Sequence, residues 1–349
     1  MAGARLDAAH DPKPSSAAQA TDELLELALG YVYSAALQAA ARLGVADHLT
    51  DGPRTADELA AAAGADGAYL YRMLRFLAAK GVFREDDDGR FHLTPLAEPL
   101  CTHADRSLRE YIMVRGEPAF WQSAGRLHDA VRTGTTAFEG LYGMPFYDYV
   151  AAEPEFGRVF NASMAAFSEA LSNDIAEVCD FPGARSVVDV GGGRGGLLRA
   201  VLRRNTLLTG TLFDLENVVA GHVLDAPDLK GRWRAVAGDF FSSVPCGADV
   251  YLLKHVLASW PDEQCVKILR TCRAAMPARG RLLAINAMIP AGNAPHPGKT
   301  IDMLMMTVLN GKSRTRAQYE ALLTEAGFTV RRFLEPSPHA SVLEAVPAS

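Results

Sequence analysis

The chain has 349 residues, 49% of them hydrophobic and 22% charged, with a formal net charge of −6. This length and composition allow two domains with a full apolar core, and the acidic balance gives no electrostatic reason to expect nucleic acid. No stretch is apolar over the roughly eighteen residues that a membrane span needs, and the start of the chain lacks the pattern of a signal peptide. We therefore predict a disordered leader over residues 1–20 and a cytoplasmic protein with neither a membrane nor a nucleic-acid partner.

The five cysteines lie at positions 101, 179, 246, 265 and 272, without a C-x-x-C pair or a grouping with histidines. Their spacing indicates neither a zinc site nor a disulfide framework. We expect small buried thiols and no bound metal.

A long helix is predicted over Thr21–Leu43, because apolar residues recur there at spacings of three and four. Its apolar face is unusually broad, which is typical of a helix that is buried against a partner. A second copy of the chain is the economical partner, so we predict a homodimer. A short helical segment is expected to follow at residues 44–49.

The next part of the chain has the outline of a winged helix. Two helices precede a small hairpin, at residues 55–63, 66–80, 82–84 and 90–93. Thr55 and Glu58 form a capping box at the first helix. Basic residues of the second helix could contact phosphates, but the wing tip, residues 85–88, is wholly acidic and would be repelled by a duplex. We favour a winged-helix dimerisation domain over residues 21–104, with DNA binding as the alternative.

Residues 105–180 are predicted to be a helical region that contributes to a substrate pocket. Helices are expected at residues 108–113, 119–133, 145–152 and 154–179. Aromatic and methionine side chains are dense here: Phe120, Trp121, Phe138, Tyr142, Met144, Phe146, Tyr147, Phe160, Met164 and Phe167. These side chains could wall a flat apolar ligand or form ordinary core, and both interpretations stay open.

The last part, residues 181–349, alternates between strands and helices, which is typical of an α/β fold with a doubly wound, mostly parallel sheet. Strands are expected at residues 187–190, 209–213, 233–237, 248–253 and 280–287, with a closing hairpin at 328–334 and 340–345. Helices are expected at residues 197–204, 262–276, 299–309 and 315–326.

The turn after the first of these strands carries Gly191, Gly193 and Gly196, which match G-x-G-x-x-G. That pattern alone allows a dinucleotide such as NAD. Asp189, at the end of the strand, would repel a pyrophosphate and attract an ammonium group. A zwitterion such as S-adenosylmethionine (SAM) therefore fits this turn better.

Two more acidic residues follow the next two strands. Asp214 is suitably spaced to hold a ribose diol, and Asp239 offers a carboxylate to an adenine amino group beside the ring of Phe240. Three acids at three successive strand ends favour SAM over NAD.

A winged-helix front, an aromatic helical middle and a Rossmann-like back, in this order, resemble the small-molecule O-methyltransferases of plants and actinobacteria. The likeness covers about residues 21–346 and is closest to bacterial enzymes that tailor polyketide and quinone natural products, such as the mitomycin O-methyltransferase. Its motifs are residues 188–195, 238–241 and 253–257, followed by Trp260 and Asp262. The resemblance implies SAM as cofactor, S-adenosylhomocysteine (SAH) as product, a small aromatic substrate and a homodimer.

The resemblance also implies two sets of site residues. The cofactor set is Asp189, Gly191, Gly193, Asp214, Leu215, Gly238, Asp239, Phe240, Lys254 and Trp260. The substrate set is Trp121, Phe160, Asn161, Met164, His255, Ser259, Asn286, Met305, Met306 and Leu309. Lys254 would line the cofactor site, and Trp260 would stack on the adenine ring.

This chain departs from the family at the positions that handle protons. The histidine that acts as general base in the family is replaced by Ala258, an acidic residue by Asn286 and a glutamate by Ser313. Alanine, an amide and a hydroxyl are not effective bases at neutral pH. His255 could take over as the catalytic base or could be a structural histidine, and His128 is a weaker candidate.

Three functions remain open on the sequence. The first is an O-methyltransferase that works by proximity and orientation on an acidic hydroxyl. The second is a SAM-binding homologue that catalyses a non-methylating hydroxylation, decarboxylation or cyclisation. The third is a SAM-sensing DNA-binding regulator, against which the acidic wing argues. We favour the first.

Overall fold

The computed structural model describes residues 17–348, and of residues 165–167, 169 and 170 it describes the backbone alone. The chain forms two compact units that divide between Trp121 and Gln122. The predicted disordered leader lies outside the described residues up to position 16, and its last four residues, 17–20, are helical instead. The division into residues 21–104, 105–180 and 181–349 stays a prediction.

The first unit begins with two helices where the sequence predicts one. α1 (Ala17–Ala28) and α2 (Gly30–Arg42) meet at a bend of 42°. The cause is local, because the backbone of Leu29 leaves helical geometry at φ −91° and ψ 6° just before a glycine. No residue of α1 is buried, and Leu27 is 78% exposed. Among the described residues no single helix is long and apolar enough to cross a bilayer. The bent pair of α1 and α2 taken together meets that requirement by length and composition only.

The predicted helix-turn-helix and hairpin are present in the first unit. Its elements are α3 (Ala56–Ala63), α4 (Gly67–Ala78), β1 (Arg54–Thr55), β2 (Phe83–Glu85) and β3 (Arg90–Leu93), and α5 (Arg109–Arg115) follows them. The strands pair in the order β1-β3-β2. The capping box is confirmed, because Thr55 Oγ1 accepts from the Glu58 amide at 3.2 Å and the Glu58 carboxylate accepts from the Thr55 amide at 2.7 Å. Leu59, Leu74 and Phe91 are completely buried between these elements.

Short helices surround the division between the units. They are α6 (Pro118–Gly125), α7 (Leu127–Thr133), α8 (Ala137–Tyr142) and α9 (Phe146–Ala152), and the long α10 (Pro154–Val178) follows. The helix predicted over residues 119–133 is interrupted at Arg126, whose φ of −109° and ψ of 20° are not helical. The sequence does not predict α8. Phe138 of α8 is completely buried, with ring centroids 5.2 Å from Phe146 and 5.4 Å from Tyr149, so this residue is ordinary core.

The second unit continues with the predicted sheet and its helices. The strands are β4 (Ser186–Val190), β5 (Thr209–Asp214), β6 (Trp233–Ala237), β7 (Val250–Lys254), β8 (Arg281–Asn286), β9 (Phe328–Ser337) and β10 (Ala340–Pro347). The helices are α11 (Gly196–Arg204), α12 (Glu216–Val219), α13 (Asp262–Ala275), α14 (Pro297–Val308) and α15 (Arg316–Glu325). The strand order is β6-β5-β4-β7-β8-β10-β9. The first five strands are parallel, and β10 and β9 close the sheet as an antiparallel hairpin.

Apolar side chains cover both faces of this sheet, which confirms the doubly wound α/β fold. Leu253 and Leu282 belong to the core on one face, and Val250 and Leu283 to the core on the other. Four of the five cysteines are buried as expected, whereas Cys246 is exposed. Within residues 17–348, no three His, Cys, Asp or Glu side chains are grouped so as to hold a metal ion.

Candidate active site

The strand order changes direction at β4, which has β5 on one side and β7 on the other. Ligands of open α/β sheets bind outside the carboxyl ends of the strands at such a point. The turn that leaves β4 has three residues with positive φ: Gly191 at 65°, Gly193 at 59° and Gly195 at 86°. A Cβ on Gly191 would lie 2.7 Å from Val256 Cγ2, but a Cβ on Gly193 would meet no atom within 4 Å. The backbone at Gly193 therefore borders open space that a ligand can enter.

Asp214 is held across the same turn. β5 runs parallel to β4, so that Asp214 ends its strand beside the glycines. Its Oδ2 accepts from the Gly193 amide at 2.8 Å, and its Oδ1 accepts from the Leu215 amide at 2.7 Å. Burial raises the pKa of the Asp214 carboxyl, and the two amides oppose that rise. The carboxylate is thus oriented before any ligand arrives, and each oxygen retains a lone pair.

Asp189 lies behind the turn rather than in the open space in front of it. The side chain is completely buried, and a Cβ on Gly192 would lie 2.7 Å from Asp189 Cγ. Burial raises the pKa of Asp189 to about 7, and the ammonium group of Lys254 opposes that rise. Asp189 is thus covered by the turn in the protein without a ligand, and the expectation that its carboxylate attracts a ligand ammonium stays a prediction.

Lys254 connects the sheet to α10. Burial lowers the pKa of its ammonium group to about 8, against the attraction of Asp189. The Nζ atom donates to Ser168 O at 3.0 Å and to Ser172 Oγ at 3.0 Å, and it also contacts Ser168 Oγ. α10 also carries Phe160, Asn161 and Met164 of the predicted substrate set. Lys254 therefore holds a predicted substrate helix against the carboxyl end of β7.

Aromatic rings stand beside the glycine turn. Phe240 Cε1 lies 3.4 Å from the position of a Cβ on Gly191. Trp260 meets Phe240 and Phe241 edge to face, with centroids 6.2 Å and 4.8 Å apart. A flat ring is the kind of ligand that such a wall accommodates.

Asp239 follows the end of β6 and precedes Phe240, and its carboxylate accepts hydrogen bonds from its own loop. Asp239 is exposed, its Oδ1 accepts from the Phe241 amide at 2.8 Å, and its Oδ2 accepts from Ser242 Oγ at 3.2 Å. Gly238 is required by packing, because a Cβ there would lie 2.5 Å from Phe213 Cε2. Leu215 is 53% exposed.

Residues 257–260, here named the 257–260 turn, contain the position of the missing histidine, Ala258. The turn is one turn of 3₁₀ helix that ends at Trp260. Ser259 Oγ lies 3.2 Å from the hydroxyl of Tyr147, whose ring stacks 6.2 Å from Trp260 at 27°. The turn and the neighbouring Tyr147 together therefore offer two hydroxyls and an indole, but no proton acceptor at position 258.

Tyr147 is the residue at this site to which the sequence assigns no individual role. It is 40% exposed, yet the surrounding protein raises the pKa of its hydroxyl by desolvation, and the charge of Asp214 adds to the rise. The only signal for it in the sequence is the density of aromatic residues around α9.

His255 is poorly suited to the role of general base. It is the one non-glycine residue with positive φ, 57°, among residues 17–348, and its Nε2 is buried without a hydrogen-bond partner. Burial, together with the charges of Lys254 and His339, lowers the pKa of its imidazole to about 3. A base this weak accepts a proton from a phenol only at a large energetic cost. The other candidate, His128, has a side chain that is 78% exposed and lies 3.4 Å from Asp129.

The remaining substrate set is divided among several elements. Asn286 is completely buried, and neither atom of its amide has a partner. Phe160 packs edge to face on Phe146 at 5.1 Å, and Met305 is buried on α14, which packs against α8. Met306 and Leu309 are half-buried on and just after that helix. Trp121 belongs to the other unit.

Known proteins resemble this chain over most of its length. A family described as the O-methyltransferase domain matches residues 124–329, and one described as the O-methyltransferase dimerisation domain matches residues 25–103. The phenazine O-methyltransferase PhzM of Lysobacter antibioticus is 38% identical over 326 residues, which cover 93% of this chain and 95% of that protein. The mitomycin biosynthesis 6-O-methyltransferase of Streptomyces lavendulae is 34% identical over 330 residues, which cover 93% of each. The SAH-bound structure of CalO1, a methyltransferase in calicheamicin biosynthesis, matches with a TM-score of 0.88 and 43% identity over 96% of this chain and 100% of that one.

Proposed function

The chain belongs to the O-methyltransferase family, and we propose on that premise that it transfers the methyl group of SAM to a hydroxyl of a small aromatic or polyketide-type natural product. The observation that carries the proposal is the Asp214 carboxylate, which is fixed across the glycine turn at 2.8 Å from the Gly193 amide. The second product of this methyl transfer is SAH. Relatives that act in mitomycin and calicheamicin biosynthesis support an acceptor from the same broad class.

The residues at the turn fit the cofactor. Gly193 leaves room for a methionine chain to pass over the backbone. Asp214 retains a lone pair on each oxygen, which suits the two hydroxyls of a ribose. Phe240 and Trp260 provide the aromatic wall for adenine, and Asp239 stands at the same strand end. SAM supplies the electrophilic methyl group.

On this proposal the acceptor hydroxyl loses its proton without the help of a general base from the protein. Ala258 cannot accept a proton, and the lowered pKa of His255, about 3, makes its imidazole a weak base. A positioned general base contributes about 10²–10⁴-fold to a rate, or roughly 3–5 kcal/mol, whereas proximity and orientation can contribute about 7–11 kcal/mol. A hydroxyl that is already partly ionised at neutral pH needs the base least. We therefore propose an acidic phenol or enol as the acceptor, with Tyr147 and Ser259 as hydrogen-bond donors to its oxygen.

The non-methylating alternative is not favoured, because the relatives reported above are methyltransferases. No observation on the site favours a DNA-binding regulator, and the absence of nucleic-acid and membrane partners stays a prediction, as does the cytoplasmic location. We also propose a homodimer, which the match to a dimerisation domain and the exposed leucines of α1 support.

The test of this function uses SAM labelled in its methyl group and a panel of hydroxylated aromatic acceptors. Transfer of label to an acidic phenol is expected, and conversion of a substrate without label would contradict the proposal. Asp214→Asn should weaken SAH binding by about 10- to 100-fold in calorimetry, because hydrogen bonds to a charged acceptor contribute roughly 1.5–3 kcal/mol. Asp225→Asn is the matched control, since its side chain is 82% exposed, and an Asp214→Asn isotherm equal to that of the control would remove Asp214 from the site.

A further inference from the structure

Arg314, between α14 and α15, is a completely buried arginine that no sequence motif assigns to the site. Its Nε and Nη2 both donate to Asp262 Oδ1, at 2.8 Å and 2.6 Å. Asp262 begins α13, directly after the 257–260 turn. A buried guanidinium is costly unless its charge is paired and its N–H groups are bonded, so the location of its other donors is informative.

Those donors bind the two ends of the 257–260 turn. Nη1 donates to Leu257 O at 2.9 Å, and Nη2 donates to Trp260 O at 2.8 Å. Cys265 Sγ donates to the same two carbonyl oxygens, at 3.0 Å and 3.3 Å. The planar fork of a guanidinium can span two carbonyls and a carboxylate at once, which a lysine ammonium group cannot do with the same geometry. Arg314 thus fixes the start and the end of the turn relative to α13.

A third contact closes the turn from the side. Gly311 passes so close to the backbone of the 257–260 turn that an added Cβ would lie 2.7 Å from Ser259 Cα and would also collide with Ala258 O. The segment that carries Arg314 therefore presses on the middle of the turn while the guanidinium holds its ends. The turn has little freedom to change the direction of Ser259 or Trp260.

We propose that Arg314 is a positioning residue: it holds the 257–260 turn so that Trp260 faces the cofactor and Ser259 faces the acceptor. The inference rests on the proposed function for the roles of those two residues. In an active site without a general base, orientation carries more of the rate, so the residue that orients these groups gains importance.

Lys312 provides a matched control. Its Nζ also pairs with Asp262, at 2.8 Å to Oδ2, but its side chain is 49% exposed. Both Lys312 and Arg314 pair with Asp262. Of these two residues, Arg314 is the one that also donates to Leu257 O and Trp260 O. Arg314→Lys keeps the charge and loses the fork, and Lys312→Met removes a charge and leaves the fork.

The test uses full-length protein labelled with 5-fluorotryptophan. The chain has three tryptophans, so Trp260→Phe identifies the ¹⁹F resonance of Trp260. Arg314→Lys is expected to shift or broaden that resonance without ligand, to weaken SAH binding at least tenfold and to lower kcat, while circular dichroism shows a folded protein. Lys312→Met should leave all three unchanged. An unshifted Trp260 resonance in Arg314→Lys, or equal effects of the two variants, would overturn the inference.

Gly311→Ala is the second variant, and it decides the matter if Arg314→Lys does not fold. It leaves the guanidinium in place and displaces the turn by a steric clash, so it should move the Trp260 resonance and weaken SAH binding in the same way. An unmoved resonance would overturn the inference. Failure of the proposed function is distinguishable, because SAH would then leave the Trp260 resonance of the unsubstituted protein unchanged, whatever Arg314 does to it.

Discussion

At the scale of single residues, His255 has the most unusual surroundings of the titratable groups near the site. The folded protein keeps its imidazole neutral, with a pKa of about 3 against an ordinary value of 6.5. The unfolded chain binds a proton there between these two pH values and the folded chain does not, so unfolding takes up a proton as the pH falls.

We therefore expect the free energy of unfolding to fall on acidification from about pH 6.5 toward pH 3, by up to roughly 1.4 kcal/mol per pH unit from this one group. His255→Gln should flatten that dependence when denaturant unfolding is measured across the range. His128→Gln is the control, because that side chain is 78% exposed and its replacement should change nothing. A pH dependence identical in His255→Gln and the unsubstituted protein would show that the imidazole is charged in the fold or is not buried.

The role of a single residue could be predicted from the sequence where its type and position together favour one role. Acids at the ends of successive strands predicted Asp214 at the turn, because parallel strands bring their carboxyl ends to one edge. Tyr147 and Arg314 could not be assigned, since a tyrosine among ten aromatic or methionine residues and an arginine beside a loop have many ordinary uses. Their partners, Ser259 and the carbonyls of the 257–260 turn, are distant in sequence.

At the scale of elements, helix boundaries were harder to predict than helix content. Apolar periodicity continues across Leu29, so it cannot show that the backbone there leaves the helix. The short helix α8 was missed although Thr136 caps it by accepting from the Glu139 amide and Gly143 ends it at a φ of 71°. A cap signature with only six residues behind it is a weak signal, because the apolar repeat that usually accompanies it has no length in which to appear.

The glycine turn between β4 and α11 supports a prediction of its own. Gly193→Ala should cost about 1–2 kcal/mol of stability, because alanine is strained at a φ of 59°. It should also weaken SAH binding, because the new methyl group would project into the open space beside Asp214.

Gly134→Ala separates the two effects. Gly134 has a φ of 73°, also has no atom within 4 Å of an added Cβ, and ends α7 instead of belonging to the glycine turn. Both variants should lose similar stability in thermal unfolding, and only Gly193→Ala should change the calorimetric titration with SAH. Equal SAH affinity in the two variants would place the cofactor away from Gly193.

At the scale of the whole molecule, the alternation of strands and helices predicted the seven-stranded sheet with its closing hairpin, because strand type and chain direction are strongly constrained in α/β folds. The division between Trp121 and Gln122 was not predicted. It falls inside a helix, α6, where neither a glycine-rich nor a proline-rich linker marks a boundary.

The proposed homodimer gives a prediction at this scale. Leu27 is 78% exposed in the protomer, although its side chain is large and apolar. Leu27→Glu should convert a dimer to monomers in analytical ultracentrifugation, because a carboxylate buried at an interface loses its hydration. Leu207→Glu is the control, since Leu207 is 73% exposed and belongs to the second unit. If Leu27→Glu sediments like Leu207→Glu and the unsubstituted protein, α1 is excluded from the interface.

α1 buries no residue within its own protomer, and this has a thermodynamic consequence. Twelve residues are too few for a helix to be stable in water without tertiary contacts. If a second protomer supplies those contacts, the order of α1 obeys mass action: its helical population rises with protein concentration and falls on dilution. The abundance of the protein in its cell, and not only its amino-acid sequence, then sets how much of the chain is folded.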